Sequence, residues 1–338
     1  MEVKAPCVAK LFGEHAVVHG MMAVALGVNI YARASFKKSN TTNLTIKLND
    51  LNQEFDLDIN KVIKLSHSYS KKSTIEQYIN ENKEYGKDIL PYCTIVARIF
   101  SEFNVIPNGI IEISSEIPKQ SGLASSASCY TAFTIALIRE LDKKVEDNKC
   151  IDMARDGERV SHKNDGAGKI DVSTAYYGGY VSFKKNEFIK HEIKTKLKLL
   201  IINTGPKLPT SVTVGRVSKL LADEHESTTK LLEEINNCSI EGLEALSKNK
   251  INVVGELMYK NHELLKKLGV SNERLDIAVD ISKKHKAHGA KLSGGGGGGV
   301  AIAILEEYYE SLEKELKNEG FNILHAEISD KGAKELFT

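Results

Sequence analysis

Residues 109–141, "GIIEISSEIPKQSGLASSASCYTAFTIALIREL", hold a strand, a glycine turn and a helix in direct succession. Alternation places Ile111, Ile113, Ser115 and Ile117 on one strand face. Beyond Gly122 the period becomes helical, with Ala127, Tyr130, Thr134, Leu137 and Leu141 forming an inward stripe. The first turn of that helix is built almost wholly from small residues. Its leading N–H groups have no intrahelical partners and lie at the positive end of the helix dipole, so the turn suits an anion. Ser125, Ser126 and Ser128 add hydroxyls. The usual nucleotide P-loop needs a lysine that is absent here. Plain N-capping needs one serine rather than three, and the residues alone leave both readings open.

Upstream, residues 21–36 alternate with Val24, Leu26, Val28 and Ile30 on one face and predict a strand, as does "NLTIKL". Residues 50–88 are polar with weak periodicity and predict connections and a short helix. A firmer helix is expected over Pro91–Phe103, where Tyr92, Ile95, Val96, Ile99 and Phe103 share a face. Downstream come a strand at "KLLIINT", a long helical stretch over 211–287, two short strands around a glycine run, a helix from 306 and a last strand at "FNILHAEI". This order predicts an α+β protein of two domains, residues 1–190 and 191–338, divided within the polar stretch "KKNEFIKHEIKTK".

A chain of 338 residues with 41% hydrophobic content can bury two cores. Its formal charge of +1, from 46 basic against 45 acidic residues, excludes a broad electrostatic footprint for nucleic acid or an anionic membrane. Any anionic partner must be met locally. The five cysteines show no disulfide or zinc spacing and fit a reducing, cytoplasmic setting. No stretch approaches the roughly 20 apolar residues of a membrane helix.

Three further segments carry chemical groups. "KLFGEHAVVHG", Lys10–Gly20, gathers Lys10, Glu14, His15 and His19 near a predicted turn. His15 and His19 have helical ligand spacing, but a zinc protease needs Glu directly after the first His, and Ala16 stands there. "KLSGGGGGGVAIA", Lys291–Ala303, contains six consecutive glycines. They satisfy G-x-G-x-x-G trivially, but the dinucleotide fingerprint continues into a helix, whereas Val300 opens a strand. A flexible linker would not run straight into that strand; a side-chain-free loop whose N–H groups cradle a ligand would. Finally, "ERVSHKNDGAGKIDVSTAYYGGYVSF", residues 158–183, ends a glycine-containing loop at Asp171, a position that most often caps a helix.

Taken in order, K-x-x-x-G-E-H-A-V-V-x-G, G-L-x-S-S-A and K-L-S-G-x-G-x-G-G resemble the three motifs of the kinases that phosphorylate galactose, homoserine, mevalonate and phosphomevalonate, the GHMP kinases. The resemblance spans residues 4 to about 305, and "LFGEHAVVHG" looks most like the members that act on mevalonate. It implies an N-terminal domain like domain 2 of ribosomal protein S5, a C-terminal ferredoxin-like domain and an active site between them. The implied reaction is ATP-dependent phosphorylation of (R)-mevalonate at its 5-hydroxyl, with Mg²⁺ as cofactor and a homodimer as the expected assembly.

The resemblance also implies roles. Gly122, Leu123, Ala124, Ser125, Ser126, Ala127 and Ser128 would wrap the ATP phosphates, and Ser126 and Glu158 would hold Mg²⁺. Asp171 would be the catalytic aspartate with Lys10 beside it. Lys10, Glu14, His15, Gly295, Gly296, Gly297 and Thr210 would face the substrate, with Thr213 as the alternative threonine and His15 a candidate for the substrate carboxylate. The chain departs from the usual family pattern at Ala124 (usually Gly), Gly295 (commonly Ala) and Val300 (often Cys). Its loop "HKNDGAGKID" is about two residues longer than the usual form, which bears on Glu158 more than on Asp171. Two other functions fit the same motifs: a kinase for phosphomevalonate or another small alcohol, and a non-catalytic ATP or ligand sensor.

Overall fold

The computed structural model describes residues 1–40, 42–118, 121–185 and 187–338. Lys119 and Gln120, within the glycine turn quoted first, and Asn186, in the polar stretch "KKNEFIKHEIKTK", lie outside the described residues.

The first half of the chain forms a seven-stranded sheet with helices packed on it. Its elements in order are β1 (Glu2–Phe12), β2 (Ala23–Lys38), β3 (Leu44–Leu48), β4 (Gln53–Leu57), α1 (Ile59–Lys71), α2 (Ile75–Glu81), α3 (Gly86–Phe103), β5 (Gly109–Ser115), α4 (Ser125–Glu140), α5 (Asp147–His162), α6 (Lys169–Tyr177), β6 (Tyr180–Lys184) and β7 (Glu187–His191). The strand order is β4-β3-β5-β2-β6-β7, with β1 along β2. Cys7, Val8 and Ala9 of β1 are all buried. Because successive side chains point to opposite faces, both faces of this strand are covered. That explains why β1 shows no alternation and escapes a periodicity search.

The second sheet is antiparallel and carries β8 (Lys198–Asn203), α7 (Thr210–Asp223), α8 (His225–Ser247), α9 (Ile251–Lys267), α10 (Glu273–Lys284), β9 (Gly289–Ser293), β10 (Val300–Leu305), α11 (Glu310–Asn318) and β11 (Asn322–Glu327). Its order, β11-β8-β10-β9, is that of a ferredoxin-like split βαβ. The long helical stretch expected over 211–287 is four helices, interrupted at Glu224, at Asn249 in a left-handed conformation and at Gly269. Residues 50–88 are also more ordered than their weak periodicity suggests. Asp58 caps α1 by accepting from Lys61 N, and Val62, Leu65 and Tyr69 bury a stripe too narrow to stand out from the polar outer face.

The domains are interlocked. Helix α8 packs on β1 and β2, and after Glu327 the chain returns to the first sheet, where Lys4 N donates to Leu336 O and Glu2 and Thr338 exchange backbone bonds. Both chain ends therefore lie on β1. Among the described residues, no helix is long and apolar enough to cross a membrane.

Candidate active site

The end of β1 aims the first charged group. Lys10 pairs with Ala25 and Phe12 with Val24, so Leu11 is an extra residue on β1 and the strand bulges at this point. Bulges bend a strand and re-aim its side chains. Lys10 Nζ donates to Asp171 Oδ2 at 3.2 Å, across 161 residues of sequence. Burial works against the Lys10 charge, but the carboxylates of Asp171, Glu14 and Glu158 outweigh it and raise its pKa. Asp171 sits in the first turn of α6, after Gly168. Its second oxygen, Oδ1, is shielded from solvent and has no hydrogen-bond partner among the described residues.

Glu158, on α5, is buried, with Oε2 3.3 Å from His162 Nε2 and Oε1 unpartnered. The bond from Glu158 raises the His162 pKa against the opposing effect of burial. Lys207, in the loop between β8 and α7, carries a charge felt by Lys10, Asp171 and Glu158, and burial lowers its pKa. No sequence motif marks Lys207; only the fold brings it to this cluster.

The turn before α4 approaches from the other side. Ala124 is its N-cap, with φ 52° and ψ 41°, a left-handed conformation that glycine adopts freely and alanine does not. A glycine would sit at this position without strain. Ser125 and Ser126 are half-buried at the start of α4, and the Ser126 hydroxyl has no protein partner among the described residues. Ser128 departs from the expectation placed on it. It is fully buried, its hydroxyl donates to Pro6 O at 2.8 Å and Ala124 O at 3.2 Å, and its N–H donates to Ala124 O. Leu123 and Ala127 are fully buried too, so they can offer a ligand only backbone groups. Leu123 O already accepts from Val8 N.

The glycine run closes the site as a packed loop between β9 and β10. A Cβ on Gly294 would lie 2.9 Å from Gly122 O, so the second and third motifs touch backbone to backbone. Its N–H groups are not all free, as a bare cradle would require: Gly297 N donates to Val270 O at 2.8 Å and Gly299 N to Gly205 O at 3.0 Å. Gly295 faces both threonines at the start of α7, since a Cβ there would meet Thr210 Cγ2 at 3.1 Å and Thr213 Oγ1 at 3.4 Å. Thr213 is fully buried and donates its hydroxyl to Thr210 O at 3.1 Å.

Three polar links tie the first motif to the third. Ser293 Oγ accepts from Lys10 N at 2.9 Å, His15 Nε2 lies 3.0 Å from Gly295 O, and Lys291 is ion-paired with Glu14 Oε1. Lys291 is fully buried and also donates to Leu292 O at 2.6 Å, and burial lowers its pKa. Burial depresses the His15 pKa to about 4. Burial therefore favours the neutral imidazole, with Nε2 at the glycine loop, so that His15 is suited to meet a substrate carboxylate as a hydrogen-bond donor rather than as a fixed cation. Lys291 begins the third motif, but nothing in its spacing reveals that its partner is Glu14.

Residues 90–179 match the GHMP kinases N terminal domain and residues 243–322 match the GHMP kinases C terminal domain. The chain is 33% identical to a mevalonate kinase of Methanocaldococcus jannaschii, over 97% of this chain and 99% of the relative. It is 30% identical to one from Pyrococcus abyssi, over 98% and 96%. The chain belongs to the GHMP kinase family.

The fold of this GHMP kinase superposes on the crystal structure of the Methanococcus jannaschii mevalonate kinase with a TM-score of 0.80 at 29% identity, covering 97% of this chain and 98% of that one. In this GHMP kinase the Lys10–Asp171 pair, the turn before α4 and the glycine loop come from 10, 122–128, 171 and 294–299, positions far apart in the chain.

Proposed function

We propose that this protein transfers the γ-phosphoryl group of ATP to the 5-hydroxyl of (R)-mevalonate, giving 5-phosphomevalonate and ADP for isoprenoid biosynthesis. The observation that carries the mechanism is the pairing of Lys10 with one oxygen of Asp171, which leaves Oδ1 buried and unpartnered. A buried carboxylate oxygen without a donor is costly, and a substrate hydroxyl placed there would satisfy it. Asp171 then accepts the hydroxyl proton as the oxygen attacks the γ-phosphorus. Lys10, 3.2 Å from Oδ2, offsets the carboxylate charge and polarises the same hydroxyl.

Phosphoryl transfer is mainly positioning and charge stabilisation. In our reading the free N–H groups at the start of α4 and the Ser125 and Ser126 hydroxyls bind phosphate oxygens. Lys207 and Lys10 are the two cations that offset the charge spreading over the transferred group. Thr210 rather than Thr213 faces the substrate, because Thr213 spends its hydroxyl internally. Glu14 and His15 act from beneath the substrate by fixing the glycine loop.

A divalent cation fits the donor set. Glu158 Oε1 is an orphaned buried carboxylate oxygen, and the Ser126 hydroxyl is a second hard oxygen donor without a protein partner. Among the described residues there is no cluster of three or more His, Cys, Asp or Glu, the type of cage that would hold a metal without help. Mg²⁺ is normally held by one or two protein oxygens with phosphate and water completing its shell. Glu158 and Ser126 would hold it here, and when bound it neutralises phosphate charge.

The acceptor is read as unphosphorylated because three lysines of the basic segment before the glycine run are engaged elsewhere, with Lys283 over the Tyr259 ring. Lys284 pairs with Glu315, and Lys291 with Glu14. A division near residues 190 and 191, at the end of β7, the homodimer and the cytoplasmic setting remain parts of the same proposal, the last supported by five buried free cysteines. The test is ATP consumption by the purified protein with mevalonate, phosphomevalonate, homoserine or galactose. Turnover with mevalonate alone is expected. Preference for phosphomevalonate would move the reading to that kinase, and no turnover with any acceptor would favour a sensor.

A further inference from the structure

The loop Lys163–Gly168, between α5 and α6, separates Glu158 from Asp171. A loop of this kind has conformational freedom to lose, and both groups depend on its placement. Two arginines on α5 hold it from below. Arg155 donates from Nε to Ala167 O at 2.8 Å and from Nη2 to Asp165 O at 3.3 Å, and Arg159 Nε donates to Asp165 O at 3.1 Å. Both loop carbonyls are thus tied to one helix by guanidinium groups, whose planar fork carries several donors in fixed geometry.

Arg159 is itself braced. Asp156 is almost fully buried and accepts from Arg159 Nη1 at 2.5 Å, Arg98 Nε at 2.7 Å and Tyr69 OH at 2.5 Å. Asp156 therefore joins α1, α3 and α5 beneath the loop. Above it, Ala167 leads into Gly168, whose φ of 81° lets its backbone lie on Glu158. A Cβ there would fall 2.5 Å from Glu158 Cβ and 2.7 Å from Cγ. Gly168 O then accepts from Val172 N, opening the turn of α6 that carries Asp171.

We propose that Arg155 is a positioning residue for phosphoryl transfer: by holding the Asp165 and Ala167 carbonyls it seats Gly168 against Glu158 and fixes the first turn of α6, and hence the place of Asp171. This rests on the reading of Asp171 and Glu158 given above. Arg155 touches no reacting atom in this account. Displacement of a catalytic group by about 1 Å can cost on the order of 100-fold in rate, so loss of the latch should act on kcat rather than on substrate binding.

The experiment compares wild type, Arg155→Met and Arg155→Lys in the full-length protein with ATP and mevalonate. Arg155→Met is expected to lower kcat by about tenfold or more with both KM values within about threefold of wild type, and to speed amide exchange across residues 163–170. Arg155→Lys, which keeps one donor, should recover part of the lost kcat. A kcat for Arg155→Met within twofold of wild type would overturn the proposal, as would a loss confined to KM. If Arg155→Met does not fold, Arg155→Lys decides: kcat reduced at unchanged KM supports the latch, and wild-type kcat overturns it. An inactive wild type would instead sink the proposed function.

Discussion

Glu14 and Lys291 form an ion pair with side chains 1% and 0% exposed, joining the turn after β1 to β9, the edge strand of the second sheet. The pair fixes two motifs that lie 277 residues apart, and Glu14 Oε2 has no further partner. Two charges removed from water gain little net stability together, but stranding one of them is expensive. Lys291→Met should therefore destabilise the protein by about 3–5 kcal/mol in denaturant unfolding, and Lys291→Met combined with Glu14→Leu should lose less than the single change. A single variant as stable as wild type would show that the pair is not closed in solution.

Ala124 offers a test of the turn before α4. An L-residue held at φ 52° costs roughly 1–2 kcal/mol, partly offset by the extra unfolded-state freedom of glycine. Ala124→Gly should stabilise the fold by about 0.5–1 kcal/mol with kcat within a few-fold of wild type. A lower melting temperature would mean that the turn is not left-handed at this residue.

Acid stability follows from two buried histidines. Burial depresses His15 and His262 from 6.5 to about 4. Between those values the unfolded chain binds protons that the folded chain does not, so their contribution is fully present above pH 6.5 and is lost as pH falls toward 4. Urea unfolding at pH 7.5 and 5 should show a drop for wild type and a smaller drop for His15→Gln/His262→Gln. Equal drops would assign the acid sensitivity to other groups.

Much of this architecture was legible in the sequence because it rests on local chemistry. The strand–turn–helix over 109–141, the strand after Gly299 and the motif glycines follow from periodicity and from backbone positions that reject a side chain. What could not be read depends on long-range contacts. β1 is buried on both faces and so loses its alternation, and Ser128 resembles its neighbours in sequence while pointing into the core. Lys207 belongs to no motif and gains its place only when β8 is laid beside the glycine loop. His15 stands in a motif, but its burial and its contact with Gly295 O come from the second sheet's glycine loop.

The most direct test is the kcat of Asp171→Asn with saturating ATP and mevalonate, alongside nucleotide binding and thermal unfolding of the same protein. Asparagine keeps the size of the side chain but cannot take a proton or pair with the Lys10 ammonium. The account predicts retained fold and ATP binding with kcat lower by roughly 10²- to 10⁴-fold. A kcat within a few-fold of wild type would contradict it.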